Sequence, residues 1–195
     1  MAHHIYHTHG FILNSRSHGE ANKTLTIYTR ELGLVRARAQ GIRLHKSKLK
    51  FGLQDFSYAK IDFVRGKEIW RVTSATTVDS FPFARASRHT LVLIAQIAKL
   101  LERLCAGEEA NEKIFDECIQ AFYLLDAPET SKEEASAIEM YLVLRIVHSL
   151  GYVGEGEVIA KYLGDSFNHE KLPLILSEKK SVLSHINKAL LESQL

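Results

Sequence analysis

Two periods of hydrophobic recurrence divide the chain near residue 80. Before that point apolar and polar residues alternate, as in Leu25-Thr26-Ile27-Tyr28, Val35-Arg36-Ala37-Arg38-Ala39-Gln40, Ala59-Lys60-Ile61-Asp62-Phe63 and Trp70-Arg71-Val72. Alternation puts successive side chains on opposite faces of a strand. The pattern predicts five short strands, near 5–14, 24–30, 34–41, 57–65 and 68–78, with turns at Gly33 and at Arg65-Gly66-Lys67. A longer basic connection, Gly41 to Gln54, separates the third strand from the fourth. Five antiparallel strands with that long link are the layout of an OB-type barrel. An SH3-like barrel has the same strand count and stands as the competitor.

After Phe81-Pro82 the recurrence lengthens to 3.6 residues. Leu91, Ile94, Ala98, Leu101 and Cys105 predict a helix over about 84–105, stopped by Gly107. Ile114, Cys118, Phe122 and Leu125 predict a second over about 110–125. Ser131-Lys132-Glu133-Glu134 reads as a capping box that opens a third helix running to Leu150 and ending at Gly151. Its centre, Ile138 to Val147, is apolar on nearly every side, which places it inside a bundle. A last helix is expected over about 178–192, with Leu183, Ile186 and Leu190 inward. The less periodic stretch from Gly154 to Asn168 predicts a short helix with loops. The fold class is therefore mixed, β then α: an N-terminal five-stranded OB-type barrel over residues 1–80, then an all-helical domain over 81–195 with a docking and packing role.

Composition agrees with a packed, soluble chain. Of the 195 residues 46% are hydrophobic and 25% charged, and no stretch approaches the roughly 20 apolar residues of a membrane span. The start, Met1-Ala2-His3-His4-Ile5-Tyr6, lacks a secretory pattern, so a cytoplasmic protein is expected. Charge changes the picture more. Residues 1–80 carry 13 Lys and Arg against 6 Asp and Glu, whereas residues 81–195 carry 12 against 17. A barrel at +7 beside a helical half at −5 points to a polyanion partner for the first.

The cations are patterned. With Val35, Ala37 and Ala39 on one face of the third strand, Arg36 and Arg38 stand on the other, and Arg43, Lys46, Lys48 and Lys50 follow in the connection. Arg16, Lys23 and Arg71 extend the strip. Such a surface suits a phosphate backbone through charge and counterion release. Tyr28, His45, Phe51 and Phe56 interleave with it as candidates for base stacking, although taken singly each reads sooner as a core or rim residue. His3, His4, His7 and His9 have no carboxylate or cysteine near them in sequence, and the expectation is no metal and no cofactor. Two cysteines, Cys105 and Cys118, exclude a disulfide framework and read as buried thiols. No Gly-x-Ser-x-Gly elbow, His-Glu-x-x-His pair or phosphate loop is present, so no enzyme is expected.

The run Gly19-Glu20-Ala21-Asn22-Lys23-Thr24-Leu25-Thr26-Ile27-Tyr28-Thr29-Arg30-Glu31-Leu32-Gly33, continuing through Val35-Arg36-Ala37-Arg38-Ala39-Gln40-Gly41, resembles the N-terminal domain of the RecO family of bacterial recombination mediators. The resemblance extends through Lys46-Ser47-Lys48-Leu49, Leu53-Gln54-Asp55-Phe56-Ser57 and Gly66-Lys67-Glu68, and covers about residues 8–80. Leu150-Gly151-Tyr152 is similar to a helix end of the same family. It implies an OB-fold and a helical domain, binding of single- and double-stranded DNA, annealing of complementary strands, and help in loading recombinase in DNA repair. The implied partners are RecR and the acidic C-terminal tail of single-strand-binding protein, in a cytoplasmic, nucleoid-associated setting. Arg36, Arg38, Arg43, Lys46 and Lys48 inherit the DNA-contact expectation.

One departure concerns zinc. Many members carry a four-cysteine module after the Leu-Gly-Tyr segment, whereas Val153-Gly154-Glu155-Gly156-Glu157-Val158 holds no cysteine. A zinc-less short form is expected, with residues 153–176 held by other means. An RNA-binding OB module and a non-catalytic interaction scaffold are the competing functional readings, separable by the effect of a 2′-hydroxyl and by charge reversal at Arg36 and Arg38.

Overall fold

The alternation of the first eighty positions folds into a closed barrel. The computed structural model describes residues 4–105, 107–153, 157–163 and 166–193, so His3 lies outside the described residues. Strands β1 (Ile5–His18), β2 (Asn22–Thr29) and β3 (Gly33–Ala39) run antiparallel in sequence, and β4 (Tyr58–Arg65) and β5 (Trp70–Asp79) form a hairpin. Closure depends on the length of β1. Its first half pairs with β4, from Ile5 opposite Val64 to Phe11 opposite Tyr58, and its second half pairs with β2. A register shift between Ile12 and Asn14 lies on the β2 side of this strand.

The remaining seam joins β3 to β5 in parallel, with Ala37 opposite Trp70 and Arg38 opposite Arg71. The order β1-β2-β3-β5-β4 puts neighbours together out of chain order, which is the Greek-key barrel of the OB type rather than the SH3-like competitor. All five expected strands are present. β1 runs past the expected end at 14 because Ser15, Arg16 and Ser17 continue to pair with Leu25, Thr24 and Lys23.

Inward positions make one cluster that includes Ile12, Leu25, Ile27, Val35, Ala37, Ile61, Phe63 and Val72, all buried. Each large aliphatic side chain there contributes roughly 1.5–3 kcal/mol over its exposed state. The basic connection contains a short helix, α1 (Leu49–Gly52), that the pattern of apolar residues did not predict. A Cβ at Gly52 would lie 3.0 Å from the Ala75 carbonyl oxygen, so α1 rests directly on the β5 backbone.

The chain forms two compact units, Met1–Phe81 with Ala98–Glu112, and Pro82–Ile97 with Lys113–Leu195. Residues 107–111 join the barrel unit at the β2–β3 turn, where the Leu34 N–H donates to the Gly107 carbonyl at 3.0 Å. Gly33 makes that approach possible. Its φ is +68°, and a Cβ there would sit 2.5 Å from the Glu109 carbonyl oxygen.

After the barrel strands, the single helix expected from about 84 is two, α2 (Pro82–Ala86) and α3 (Arg88–Leu104). Ser87 divides them, because its Oγ accepts the Thr90 N–H at 3.3 Å and caps a new start. Helix α4 (Glu112–Leu125) begins slightly later than expected. Helix α5 (Lys132–Ser149) opens with the anticipated box: Ser131 Oγ accepts the Glu134 N–H at 3.2 Å, and the Glu134 carboxylate accepts the Ser131 N–H at 2.9 Å. The Ser131 N–H and the Ser131 Oγ–H, which donates to the same carboxylate at 2.8 Å, hold the Glu134 carboxyl below its ordinary pKa.

The C-terminal part contains α6 (Glu157–Ala160), a 3-10 turn (His169–Lys171), α7 (Leu172–Ser177) and α8 (Lys179–Glu192), with α7 and α8 packed on α5. On α8 the inward residues are Val182, Ile186 and Ala189, while Leu183 and Leu190 are half-buried. In the buried centre of α5, Arg145 forms an ion pair with Glu117 of α4 and donates from Nη1 to the Tyr162 carbonyl at 3.1 Å. Burial works against its charge, but Glu117 and Tyr141 outweigh that and raise its pKa. This bond, Tyr162 Oη donating to Glu178 at 2.6 Å, and the Tyr141 and Phe167 rings at 4.5 Å tie down the described part of the segment where cysteines are missing.

Candidate nucleic-acid interface

The strand register assembles the basic surface. Arg16 on β1 stands opposite Thr24 on β2, Thr24 opposite Arg38 on β3, and Arg38 opposite Arg71 on β5. Residues directly opposite one another share a face, and the inward face is already taken by Leu25, Ala37 and Trp70. Arg16, Arg38 and Arg71 therefore form one outer row across four strands, a span of about 14 Å at roughly 4.8 Å per strand. Arg36, two residues along β3 and on the same face, is exposed opposite Thr26. Among the described residues none of these four arginines is in an ion pair.

The connection adds a second group of cations at the β1–β2 turn. Arg43 donates from Nη1 to the Gly19 carbonyl at 3.1 Å, its own N–H donates to the Ala21 carbonyl at 3.0 Å, and the Gly41 N–H donates to Asn22 Oδ1 at 2.9 Å. Lys46, Lys48 and Lys50 are exposed beyond this anchor. Lys23 is placed differently. It has the inward parity of Leu25 and Ile27, and its Nζ donates to Ser15 Oγ at 2.9 Å, away from the outer row.

The stacking candidates divide on exposure. Phe51 is 73% exposed on α1 and His45 is exposed beside it in the connection. Tyr28 is buried and Phe56 half-buried. Tyr28 is a core residue and not a stacking surface: its ring is covered, and its Oη donates to the Asn111 carbonyl at 3.4 Å.

The β4–β5 turn supplies cations that the sequence pattern marked only as a turn. Arg65 and Lys67 line, with Arg38, Arg71 and Glu68, an open pocket of about 590 Å³. The Arg65 guanidinium lies 5.0 Å above the Trp70 ring and 3.3 Å from Glu108, whose carboxylate also accepts the Trp70 indole N–H at 2.7 Å. Glu68, Glu102 and Glu108, with Arg36, Leu34 and Trp70, line a neighbouring hollow of about 380 Å³. Carboxylates thus bound the basic surface on one side, so a polyanion is favoured along the row and repelled beyond it. Charge and the alternating pleat are enough to find Arg36 and Arg38; Arg65 and Lys67 needed the register.

The other candidate chemistry is occupied elsewhere. His7 Nδ1 lies 2.6 Å from Asp62 Oδ1, a carboxylate distant in sequence that the β1–β4 pairing brings opposite it. His9 packs against the Tyr58 ring. Among the described residues no three His, Cys, Asp or Glu side chains are grouped to hold a metal ion. Burial pushes the Cys105 thiol up to about 11, against a smaller opposing effect of Tyr28, so it is protonated at neutral pH; Cys118 is buried. No helix among the described residues is long and apolar enough to cross a membrane.

A family described as "Recombination protein O N terminal" matches residues 1–81. The "DNA repair protein RecO" of Rubrobacter xylanophilus is 32% identical over 161 residues, 83% of this chain and 63% of that protein. Those of Pelotomaculum thermopropionicum and Dehalococcoides mccartyi are 30% and 29% identical, over 76% and 78% of this chain and 56% and 58% of theirs. The chain spans between 56% and 63% of the length of these three relatives.

Proposed function

Through residues 1–81 the chain belongs to the RecO family, and on that premise we propose that it is a DNA-binding recombination mediator of DNA repair. It anneals complementary single strands and assists recombinase loading on coated single-stranded DNA. One observation carries the reading: the outer row of Arg16, Arg38 and Arg71, with Arg36 beside it, has no ion pair among the described residues. Arginines that the fold leaves unneutralised in a row are available to phosphates, and each neutralised phosphate releases a counterion.

The mechanism is electrostatic and involves no covalent chemistry. Phosphates of two strands settle on the row and on the cations of the connection, Arg43, Lys46, Lys48 and Lys50, so their mutual repulsion falls and bases meet their complements. Exposed Phe51 offers an unpaired base an aromatic surface. Contact through phosphates carries no base information, so sequence specificity is low. The helical unit takes the protein-docking role, with RecR and the acidic tail of single-strand-binding protein as partners, and the protein works on the nucleoid.

Annealing of complementary oligonucleotides precoated with single-strand-binding protein, with and without the chain, tests this reading. Acceleration that fades with added salt is expected. No acceleration at any salt concentration overturns it.

A further inference from the structure

The pocket between the β3–β5 seam and the β4–β5 turn is more specific than a basic strip requires. Arg38 and Arg71 are direct cross-strand partners, an arrangement that sets two positive charges side by side. Their Nε atoms are closed off from solvent with no hydrogen-bond partner in the protein, and among the described residues neither side chain is in an ion pair, so their donors are not used up within the fold. Arg65 is held in place over the Trp70 ring and by Glu108, so the third guanidinium is already positioned. Gly66 keeps the turn tight, since a Cβ there would lie 2.3 Å from the Ile69 carbonyl oxygen, and Lys67 is exposed next to it. Four cations and one carboxylate, Glu68, line the pocket, and Glu108 pairs with Arg65 from outside that lining.

Guanidinium forks match the geometry of phosphate oxygens and bind them in pairs. A like-charged pair with no carboxylate partner is relieved by an oxyanion between its forks. We propose that this pocket seats a single phosphate group, so that a nucleic-acid strand is fixed at one defined phosphate and held diffusely elsewhere. The inference rests on the nucleic-acid reading and deepens it. The phosphate is an internal diester of the strand or the monoester at its end, and the two share the chemistry of the seat.

Inorganic phosphate titrated into the full chain at constant ionic strength, followed by backbone amide NMR shifts, tests the seat. Saturable uptake at one site is expected, with shifts centred on residues 65–71 and on Arg38. Arg71→Gln should weaken it at least tenfold. Lys67→Gln, in an exposed turn where folding is not at risk, should weaken it about threefold. Oligonucleotides with a 5′-phosphate or a 5′-hydroxyl distinguish the sources. Preference for the phosphorylated strand that Arg71→Gln abolishes assigns the seat to strand ends; equal affinity, lowered alike by both variants, assigns it to an internal diester. No saturable uptake, or uptake unchanged in both variants, overturns the seat while DNA binding leaves the parent reading intact. Failure of the unaltered chain to bind DNA overturns that reading instead.

Discussion

In the barrel unit Arg36, Arg38 and Arg71 stand on the outer face with no carboxylate within ion-pairing distance among the described residues. In the helical unit Arg145, whose side chain is 2% exposed, is enclosed by Glu117, the Tyr162 carbonyl and the Tyr141 ring. The same guanidinium is compensated from within in one unit and left for an outside anion in the other. Solvent explains how both are tolerated. An exposed cation keeps much of its hydration, whereas a buried one loses it and needs a fixed partner. Arginines left unpaired at the surface are thus where function is to be sought, and the paired, buried one is part of the architecture.

The largest effect that would break this comparison lies at the buried pair. Glu117→Leu leaves the Arg145 charge enclosed without its carboxylate and should cost about 3–5 kcal/mol in urea unfolding. Glu117→Leu combined with Arg145→Met should recover most of that loss, since an apolar pair of similar volume carries no desolvation penalty. A single variant no less stable than the double would refute the architectural role. Next come the two outer-face arginines that no carboxylate pairs among the described residues. Arg36→Glu with Arg38→Glu should change unfolding stability by under about 1 kcal/mol in total. It should lower single-stranded DNA affinity by roughly 10–100-fold at low salt and flatten the log–log salt dependence by about 1.4 units, or 0.7 for each lost contact. Affinity and slope that stay as they were would remove the row from the interface.

A smaller effect sharpens the contrast at a site with neither role. Ser131→Ala removes the capping box and should cost about 1 kcal/mol. The folded pKa of Glu134 lies below its unfolded value, so its contribution is fully present above the ordinary glutamate pKa of about 4.3 and disappears as pH falls through the lowered folded value. The stability difference between the two proteins should therefore shrink in acid, measured by urea unfolding at pH 7 and at pH 3. A constant difference would mean that the box carries no carboxylate component.

Much of the barrel was legible because alternation is a local property. Val35, Ala37 and Ala39 against Arg36 and Arg38 requires only that successive residues point to opposite faces. The capping box was legible for the same reason, since Ser131 and Glu134 are three residues apart. The helix break at Ser87 was missed, although Ser87 and Thr90 carry the capping signal, because the apolar spacing continues across it. Which segment covers Tyr28 was not legible, because residues 107–111, which lie at the turn that follows it, are remote in sequence. Asp62 beside His7 and Glu108 beside Arg65 are likewise pairings between distant segments.

The sequence by itself determined the two periods, the charge carried by each half, the outward direction of Arg36 and Arg38 and most element boundaries. All of these follow from a residue and its near neighbours. Only the tertiary structure decided that Arg16, Arg38 and Arg71 line up, that Lys23 turns away, and that Arg65 and Lys67 share a pocket with Arg38 and Arg71. Those facts depend on which residues of separate strands stand opposite one another. A slip of one residue in pairing would send an entire row to the other face.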